Sequence, residues 1–527
     1  MIQKIKKFIF FIKKIIITNY EIDFIKHNKK IFKHFQNKNN QIYLENTGMQ
    51  PNHIAMSHFS KVLSEIHDAE IVSYEPRINF GLLNKIKFFL VNFKIKKIIK
   101  SFGVDNFYYK DTSDHEALSN KLTDILMSEI NTKKDLISLT IDGIWVGDLI
   151  YDEYLNSNKV PTVNVKSEEL RKILYEFSLL YYHWKNLFSK KNVKSIVISH
   201  ACYFMGLPAR MAIEYDIPAY QVNLQTIYYL SKKNLFPSCE FNSYKKDFEK
   251  LDDEKKKKSI KEASERLNLI FEGKTNIDQL YIKNSAYSQN KTFSKLIVNK
   301  KPIKVLIASH SFYDAPNGLG KTLFSDFYEW LEFIGELSNK TDYEWYIKTH
   351  PGIDILDQKT IDDFLSRFKK IILIPERTSH HQLISEGINI VLTVYGSIGI
   401  EYAAKKITVI NASLNNPHVD YDFNIHPKSQ DQLKNIILNL ENYVTLDISL
   451  EDVYECYYMK YCYYDHNIFF SDFKSIINNI GGYYSQYSPS IYREWVKYFN
   501  PDIQNKLEIN LKKFVLSGEY KIKSNWS

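Results

Sequence analysis

The sequence predicts an α/β protein with two Rossmann-like domains that face a cleft, followed by a helical, aromatic-rich C-terminal tail. Short apolar runs alternate with helical stretches twice along the chain, first from residue 41 and again from residue 304. The chain has 527 residues, and about 150 residues per domain gives two to four domains. We therefore expect an N-terminal domain over 1–300, a C-terminal domain over 301–445 and the tail over 446–527.

The first half shows the order strand, helix, strand, which favours parallel pairing. Strands are predicted at 41–45, 69–74, 194–200 and 217–222, and helices at 55–66 and 208–216. A polar, lysine-rich stretch follows over about 242–301, and its acidic start before a run of lysines predicts a surface helix, because these charges complement the helix dipole. The hinge between the domains is expected near 290–302.

The second half repeats the alternation in a shorter span. Its apolar runs lie at 304–309, 344–348, 371–374, 390–394 and 408–410, with helical stretches such as 323–337 between them. Five short strands separated by helices predict one Rossmann-like sheet. From residue 446 the chain is rich in Tyr and Phe, and we expect it to be helical.

Composition limits the class of protein and its partners. Hydrophobic residues make up 44% and charged residues 25%, as in soluble globular chains, which argues against disorder and against a polytopic membrane protein. The net charge is +9, and lysine supplies almost all of the positive charge. This surplus favours anionic partners such as phosphates or a lipid surface, and we expect no nucleic-acid partner. Four cysteines without a C-x-x-C pair fit a reducing cytoplasm and indicate no metal site.

Two apolar segments interspersed with lysines bear on membrane contact. The segment 1–17 is too short to span a bilayer, and no small-residue cleavage site follows it. The segment 85–100 has the spacing of an interfacial helix, or of a core-facing helix with a solvated lysine face. The sequence thus predicts a cytoplasmic protein, with attachment to the inner face of the cytoplasmic membrane as an open alternative.

Ligands of open parallel sheets bind beyond the carboxyl ends of the strands, so polar residues after each apolar run are the candidates. The turn Gly396-Ser397-x-Gly399-x-Glu401 follows one such run. A small-residue loop that opens a helix offers backbone N–H groups and a positive dipole end to phosphate oxygens. Glu401 falls where a carboxylate could accept hydrogen bonds from a ribose. A capped helix with an ordinary N-terminal Glu is the alternative.

Other strand ends in the second half carry basic and acidic side chains. Lys348 and His350 in Lys-Thr-His-Pro add a cation and an imidazole, although a His before Pro is also common in hydrogen-bonded loops. His310 and Asp314 follow the first apolar run and could act at the cleft, with a turn-forming role for Asp314 as the alternative.

In the first half, His200 and Asp148 follow apolar runs, and Asp152 lies close by in sequence. Any of these could be a general base, because that role needs only reach and a suitable pKa. Burial in a hydrogen-bonded scaffold is the alternative for each.

One motif imitates a phosphate-binding P-loop. Gly318-Leu-Gly-Lys-Thr322 matches the end of that motif, but Ala315 stands where the motif requires its first glycine. This departure excludes a P-loop ATPase.

Taken together, these segments resemble the GT-B glycosyltransferases of bacterial surface polysaccharide synthesis, in particular the capsule polysaccharide biosynthesis group. The resemblance spans about residues 40–440 and rests on His350-Pro after one strand, Gly396-Ser-x-Gly-x-Glu401 after a later one, and the segments 144–152 and 199–218. It implies a GT-B-like fold, a nucleotide-sugar donor on the C-terminal half, and a glycan or lipid-linked glycan acceptor on the N-terminal half.

The same resemblance implies roles for particular residues. Lys348 and His350 would contact the donor phosphates or leaving group, Gly396 and Ser397 would cradle phosphate, and Glu401 would hold the ribose. It also implies no permanently bound cofactor and no metal, and the strand ends carry no Asp-x-Asp motif. Lysine, histidine and helix-end amides would then offset the charge of the leaving group.

Three alternatives stay open. CDP-polyol phosphotransferases of the teichoic-acid type are similar, but they typically show Thr-Asp-Tyr-Ser-Ser where this chain has Thr393-Val-Tyr-Gly-Ser397. UDP-sugar 2-epimerases resemble the Gly-Ser-x-Gly-x-Glu region but have a more compact first half. A non-catalytic glycan-binding relative would keep the fold without turnover, because fold does not fix function.

Overall fold

The computed structural model describes residues 16–32, 39–76, 92–108, 113–275, 277–278, 280–281, 284–288, 294–297, 301–349, 355–464 and 466–524. The predicted α/β fold class with two parallel-stranded sheets is confirmed within these ranges. The basic segment 1–15, the residues 85–91, most of the expected hinge and His350 lie outside the described residues.

The first sheet has six strands in the order β3-β2-β1-β6-β7-β8. Its strands are β1 Gln41–Glu45, β2 Glu70–Tyr74, β3 Asn106–Tyr108, β6 Val193–Ile198, β7 Ala219–Val222 and β8 Ile227–Leu230. All neighbours pair in parallel except β8, which is antiparallel to β7. Every residue of β2 is buried, as expected for a parallel strand covered on both faces.

The second sheet has five parallel strands in the order β11-β10-β9-β12-β13. These are β9 Lys304–Ala308, β10 Glu344–Lys348, β11 Ile371–Leu373, β12 Ile390–Thr393 and β13 Thr408–Asn411. Val305 of β9 pairs with Trp345 on one side and Ile390 on the other. The chain therefore reverses its direction of winding between β9 and β12, as in a doubly wound sheet.

Helices cover these sheets and fill the tail. In the first half they span Asn19–Ile31, Gln50–His67, Glu116–Glu129, Lys133–Ile137, Gly147–Asn158, Glu168–Lys190, Leu207–Glu214, Tyr244–Glu249 and Asp253–Phe271. In the second half they span Phe327–Ser338, Ile355–Arg367, His380–Ser385, Ile398–Ala403 and Gln430–Leu438. The tail contains Leu450–Tyr458, Phe473–Asn479, Ser490–Tyr498 and Pro501–Ser517.

Four strands were missing from the sequence prediction. β3 and β8 are edge strands, and β3 is only partly buried, so no continuous apolar run marks it. The short strands β4 Thr140–Ile141 and β5 Ile144–Trp145 form an antiparallel hairpin outside the main sheets. Asp148 therefore follows a hairpin and begins a helix, whereas the sequence placed it at a strand end of the main sheet.

The described part of the lysine-laced segment is helical over 92–100 and faces the core. Ile98 and Ile99 are buried, and Lys94 pairs with Glu21 at 2.7 Å while almost fully buried. This matches the core-facing interpretation for these nine residues. Among the described residues, no helix combines the length and apolar character needed to cross a membrane.

The tail helix Ser490–Tyr498 packs against the helices Asn19–Ile31 and Gln50–His67 of the first half. Its Tyr492 hydroxyl lies 2.5 Å from Nδ1 of His53, and Nε2 of His53 lies 2.7 Å from the carbonyl of Thr47. Because a carbonyl only accepts, Nε2 carries the proton and Tyr492 donates to Nδ1. Burial lowers the pKa of His53 to about 4, which keeps the ring neutral.

We expect Tyr492→Phe to destabilise the protein by about 1–3 kcal/mol, because it leaves the buried Nδ1 of His53 without a partner. Urea unfolding followed by circular dichroism measures this change. Tyr484→Phe is the matched control, since Tyr484 is 57% exposed, and it should leave the unfolding free energy unchanged. Equal midpoints for both variants would contradict the packing described for the tail.

Candidate functional site

Each sheet has a point where the strand order reverses, and open α/β sheets bind ligands at such points. In the first sheet the reversal lies between β1 and β6, and Glu45 and His200 stand there. In the second sheet it lies between β9 and β12, and His310 and Gly396 stand there. The structure therefore places four polar or small residues at the two crevices that the topology creates.

Glu45, Ser199 and His200 form a hydrogen-bonded chain at the first crevice. Glu45 accepts from the backbone N–H of Ser199 at 2.7 Å and from its hydroxyl at 2.6 Å. The Ser199 oxygen lies 2.9 Å from Nδ1 of His200. Because the hydroxyl hydrogen is given to Glu45, we assign the His200 proton to Nδ1, donating to Ser199. Nε2 of His200 is then an unprotonated acceptor, as a general base requires.

The surroundings of His200 keep its ring neutral. Burial lowers the pKa of His200, and the negative charge of Asp314 partly opposes that shift. A neutral imidazole near pH 7 can accept a proton from a bound hydroxyl. Asp314 also accepts a hydrogen bond from the hydroxyl of Tyr203 at 3.0 Å, so this carboxylate from the second half lies beside the first crevice.

The loop after β9 joins the two halves. Asn317 donates to the buried carboxyl of Asp152 at 2.8 Å, and burial raises the pKa of Asp152 well above its usual value. Asp326, at the start of the helix Phe327–Ser338, accepts from the hydroxyls of Tyr151 at 2.5 Å and Thr162 at 2.6 Å. The same loop begins at the crevice of the second sheet and reaches the first crevice through Asp314, beside Tyr203 and His200.

His310 is held in place at the second crevice. Its Nε2 accepts from the backbone N–H of Val394 at 3.2 Å and lies 3.2 Å from the hydroxyl of Thr393. Its ring stacks on Phe327 with centroids 4.5 Å apart and contacts the ring of Tyr395 at 5.4 Å. With Nε2 already accepting, His310 is oriented by β12, and the structure does not test a catalytic role for it.

The Gly396–Glu401 turn is closely packed. A Cβ at Gly396 would lie 3.1 Å from the Thr393 hydroxyl, and one at Gly399 would lie 2.6 Å from the His418 ring. Gly399 is therefore required by close packing alone. Ser397 precedes the six-residue helix Ile398–Ala403, and its hydroxyl donates to Glu401 at 3.1 Å.

Glu401 points into a partly buried cluster. Burial raises its pKa, while the hydroxyls of Tyr287 and Ser397 and the charge of Lys460 favour the ionised form. These interactions give Glu401 a structural explanation, so ribose binding stays a prediction for this residue, as phosphate binding does for Gly396 and Ser397.

Lys348, the last residue of β10, is 6% exposed. Its ammonium donates to the backbone carbonyl of Glu376, and the negative charge of Glu376 compensates its charge only in part. Burial lowers its pKa to about 8. Burial, together with the charge of Lys348, lowers the pKa of His380 to about 3. Nδ1 of His380 lies 2.7 Å from the hydroxyl of Tyr402. An anion at this edge would supply the missing negative charge.

The sequence suggested Asp148 as a general base, and the structure instead shows it in an ion pair. It forms a buried ion pair with Arg210 at 2.6 Å, and Arg210 also donates to the carbonyl of Trp145 at 2.9 Å. The ion pair joins the helix Gly147–Asn158 to the helix Leu207–Glu214, and the bond to Trp145 ties the hairpin to the latter helix. The pair stabilises the fold, and we assign Asp148 no proton transfer.

Three residues of this region were not predicted from the sequence: Ser199 as the link between Glu45 and His200, Asn317 as the partner of Asp152, and His380 beside Lys348. A signal for Ser199 was present, because Glu45 ends the predicted strand 41–45 and Ser199 lies near the end of the predicted strand 194–200. In the described part of the chain, no cluster of three or more His, Cys, Asp or Glu side chains has the arrangement of a metal site.

The chain was compared with known families and structures. No family model matches the sequence, and neither does any curated protein. Similar solved structures include KpsC of Thermosulfurimonas dismutans, a beta Kdo 2,4 transferase, at 14% identity over 50% of this chain and 79% of that one, with a TM-score of 0.32.

Two further similar structures cover more of the chain. The UDP-GlcNAc 2-epimerase of Neisseria meningitidis bound to UDP-GlcNAc is 12% identical over 80% of this chain and 97% of that one, with a TM-score of 0.23. MurG of Acinetobacter baumannii is 9% identical over 80% and 94%, with a TM-score of 0.23. At such TM-scores these likenesses carry no argument about function, which must come from the site itself.

Proposed function

We propose that this protein is a metal-independent glycosyltransferase that moves a sugar from a nucleotide-sugar donor to a growing capsular or other cell-surface polysaccharide. The observation that carries the proposal is that the loop after β9 contacts the first half beside His200, with a buried cation at a strand end of the second sheet and a neutral base at a strand end of the first. Lys348 supplies the cation and His200 the base. A transferase needs both, one for the leaving phosphate and one for the acceptor hydroxyl.

Lys348 suits a nucleotide phosphate. Among the residues that the structure describes, the carbonyl of Glu376 is the hydrogen-bond partner of this ammonium. A buried ammonium gains more from an anionic partner than an exposed one does, because solvent screening is weak there. Its position at the carboxyl end of β10, beside β9, is on the edge where doubly wound sheets hold nucleotides. In the proposed reaction its charge stabilises the phosphate as the bond to the sugar breaks.

His200 suits the acceptor. Nε2 takes the proton of an acceptor hydroxyl, the hydroxyl oxygen bonds to the anomeric carbon, and the electron pair of the broken bond leaves on the nucleotide phosphate. Ser199 and Glu45 act as positioning residues, because they hold the Nδ1 tautomer of His200.

We also propose a cytoplasmic location with attachment at the inner face of the cytoplasmic membrane, where a lipid-linked acceptor would be presented. The lysines of 1–17, together with the exposed Lys97 and Lys100, would meet anionic lipid there, whereas Lys94 is buried in its ion pair with Glu21. Co-sedimentation with anionic vesicles tests this attachment, and a protein that stays in the supernatant would contradict it.

Asp314→Asn is expected to shift the acid limb of the pH profile of kcat/KM to lower pH. The carboxylate of Asp314 raises the pKa of His200, so its loss lowers that pKa further. Activity needs neutral His200, and a lower pKa keeps the ring neutral at lower pH. Asp431→Asn, on an exposed helix, is the matched control and should leave the limb in place. An unmoved or raised limb in Asp314→Asn would argue against His200 as the base.

Product analysis tests the reaction class. The protein is incubated with UDP-, GDP-, CMP- and dTDP-sugars and with CDP-polyols, and the products are separated by ion-exchange chromatography. A transferase releases nucleotide as the sugar is transferred or hydrolysed. An epimerase instead yields an isomeric nucleotide sugar without release, and release from CDP-polyols alone indicates a polyol-phosphate enzyme. Either of these results would overturn the proposal.

A further inference from the structure

A cavity of about 140 Å³ lies at the carboxyl edge of the first sheet, and His200 and Ser199 form part of its wall. It is several times the roughly 30 Å³ share of one water molecule, yet well below the roughly 300 Å³ of pockets that enclose drug-sized ligands. It therefore has room for one small ring. Its remaining polar lining is mostly amide and phenol: Asn52, Gln221, Asn223, Gln225, Tyr483 and Tyr487.

The tail supplies one side of this cavity. Residues 483–487 form a single helical turn that packs against the helix Gln50–His67. The turn follows Gly481 and Gly482, whose φ angles of 96° and 102° strongly favour glycine. This reversal directs Gln486 into the first half, where it lines the cavity while only 3% exposed.

Gln486 has an unmet hydrogen bond. Its Nε2 is buried and has no partner among the described residues. A buried amide N–H without a partner costs free energy, so such a group points to a ligand or water that completes it. The neighbouring amide Gln221 is already engaged, since its Oε1 accepts from the backbone N–H of Ala201 at 2.8 Å, which leaves its NH₂ group as a donor.

The charge of the lining indicates the chemistry of the ligand. The cavity is lined by no Lys, Arg, Asp or Glu of the described chain, and burial lowers the pKa of His200 so that its ring is neutral. A phosphate or a sugar acid would therefore meet no countercharge. Amide groups both donate and accept, as the hydroxyls of a sugar require, and the rings of Tyr483 and Tyr487 offer flat apolar surfaces for its C–H faces.

We propose that this cavity binds one neutral sugar unit, with Gln486 of the tail donating a hydrogen bond to it and Nε2 of His200 facing one of its hydroxyls. The lining residues alone support binding of a neutral sugar in this cavity. The identification of this sugar as the acceptor's reacting unit rests on the proposed function. The tail is then part of the acceptor site, and a transferase without residues 483–487 would retain donor binding but lose acceptor binding.

Saturation-transfer NMR on the full-length protein tests this proposal, using glucose, galactose and N-acetylglucosamine as neutral probes and N-acetylneuraminic acid as the anionic one. We expect transfer from at least one neutral sugar, and binding about tenfold weaker in Gln486→Leu, which keeps the shape but removes the donor. Gln225→Ala, at a half-exposed position of the same wall, provides a second variant whose folding is not at risk. Gln432→Leu, on an exposed helix, is the matched control.

Transfer from no neutral sugar, transfer from the acid alone, or equal binding in wild type and both cavity variants would each overturn the proposal. Nucleotide release from the donor panel is measured on the same samples. Sugar binding that depends on Gln486, without any release of nucleotide, would show a glycan-binding cavity and refute the transferase. Release without sugar binding would keep the transferase and refute the cavity.

Discussion

His200→Ala is expected to lower kcat for sugar transfer by about 10²- to 10⁴-fold, the usual contribution of a general base. The loss should fall on kcat, since the ring acts on the proton of the acceptor hydroxyl and the donor is held by the other half. Steady-state assays of nucleotide release with acceptor present measure it. The fold should survive, because His200 stands at a half-buried strand end outside the apolar core.

Two further variants separate a base from a structural residue. Glu45→Gln should lower kcat less than His200→Ala, because it disturbs only the tautomer of His200 through Ser199. His67→Ala, at the end of the helix Gln50–His67 before β2, is the matched histidine control and should retain full activity. A wild-type kcat in His200→Ala would contradict the assignment of His200 as the general base.

Lys348→Met should stabilise the protein by up to about 3 kcal/mol at pH 7. Burial lowers the pKa of Lys348 from 10.5 to about 8, a difference worth about 3 kcal/mol. Between these values the unfolded chain binds more protons than the folded one, so wild-type stability rises with pH through this window. The stability of Lys348→Met does not rise with pH in this way, because methionine does not titrate. The gain in unfolding free energy of Lys348→Met over wild type is therefore largest below pH 8 and shrinks towards pH 10.5.

The same substitution should weaken donor binding roughly ten- to a hundredfold, since a charge-assisted hydrogen bond contributes about 1.5–3 kcal/mol. Isothermal titration with the donor measures this. Lys359→Met, on the surface helix Ile355–Arg367, is the matched control for loss of one lysine charge and should change neither stability nor affinity. A Lys348→Met protein that is less stable than wild type at pH 7 would contradict the assignment of Lys348 as a buried cation that Glu376 compensates only in part.

The central strands were predictable because they are continuous apolar runs bounded by polar residues. β9 to β13 fall within a residue or two of the predicted runs. Burial in a covered parallel sheet selects such sequences in β9, β10, β12 and β13, and the edge strand β11 is also an apolar run although Ile372 and Leu373 are exposed. The edge strand β3 was missed because its three residues, none of them buried, form no such run.

The site was only partly predictable for a topological reason. His200 stood out because it follows a strand, but its link to Glu45 depends on β1 and β6 being neighbours, which no local pattern encodes. Gln486 carries no local signal at all, because it reaches the cavity only through the fold of the tail. Asp148 is the opposite case. Its position in the sequence suggested a general base, but its buried ion pair with Arg210 gives it a structural role.

The most direct test of a nucleotide-sugar site at the second sheet is thermal stabilisation of wild type and Lys348→Met by UDP-, GDP-, CMP- and dTDP-sugars. A ligand that binds only the folded state raises the melting temperature. We predict that one nucleotide sugar raises the melting temperature of wild type, and that the increase is much smaller in Lys348→Met at the same concentration. No increase with any nucleotide sugar, or an equal increase in both proteins, would contradict the account.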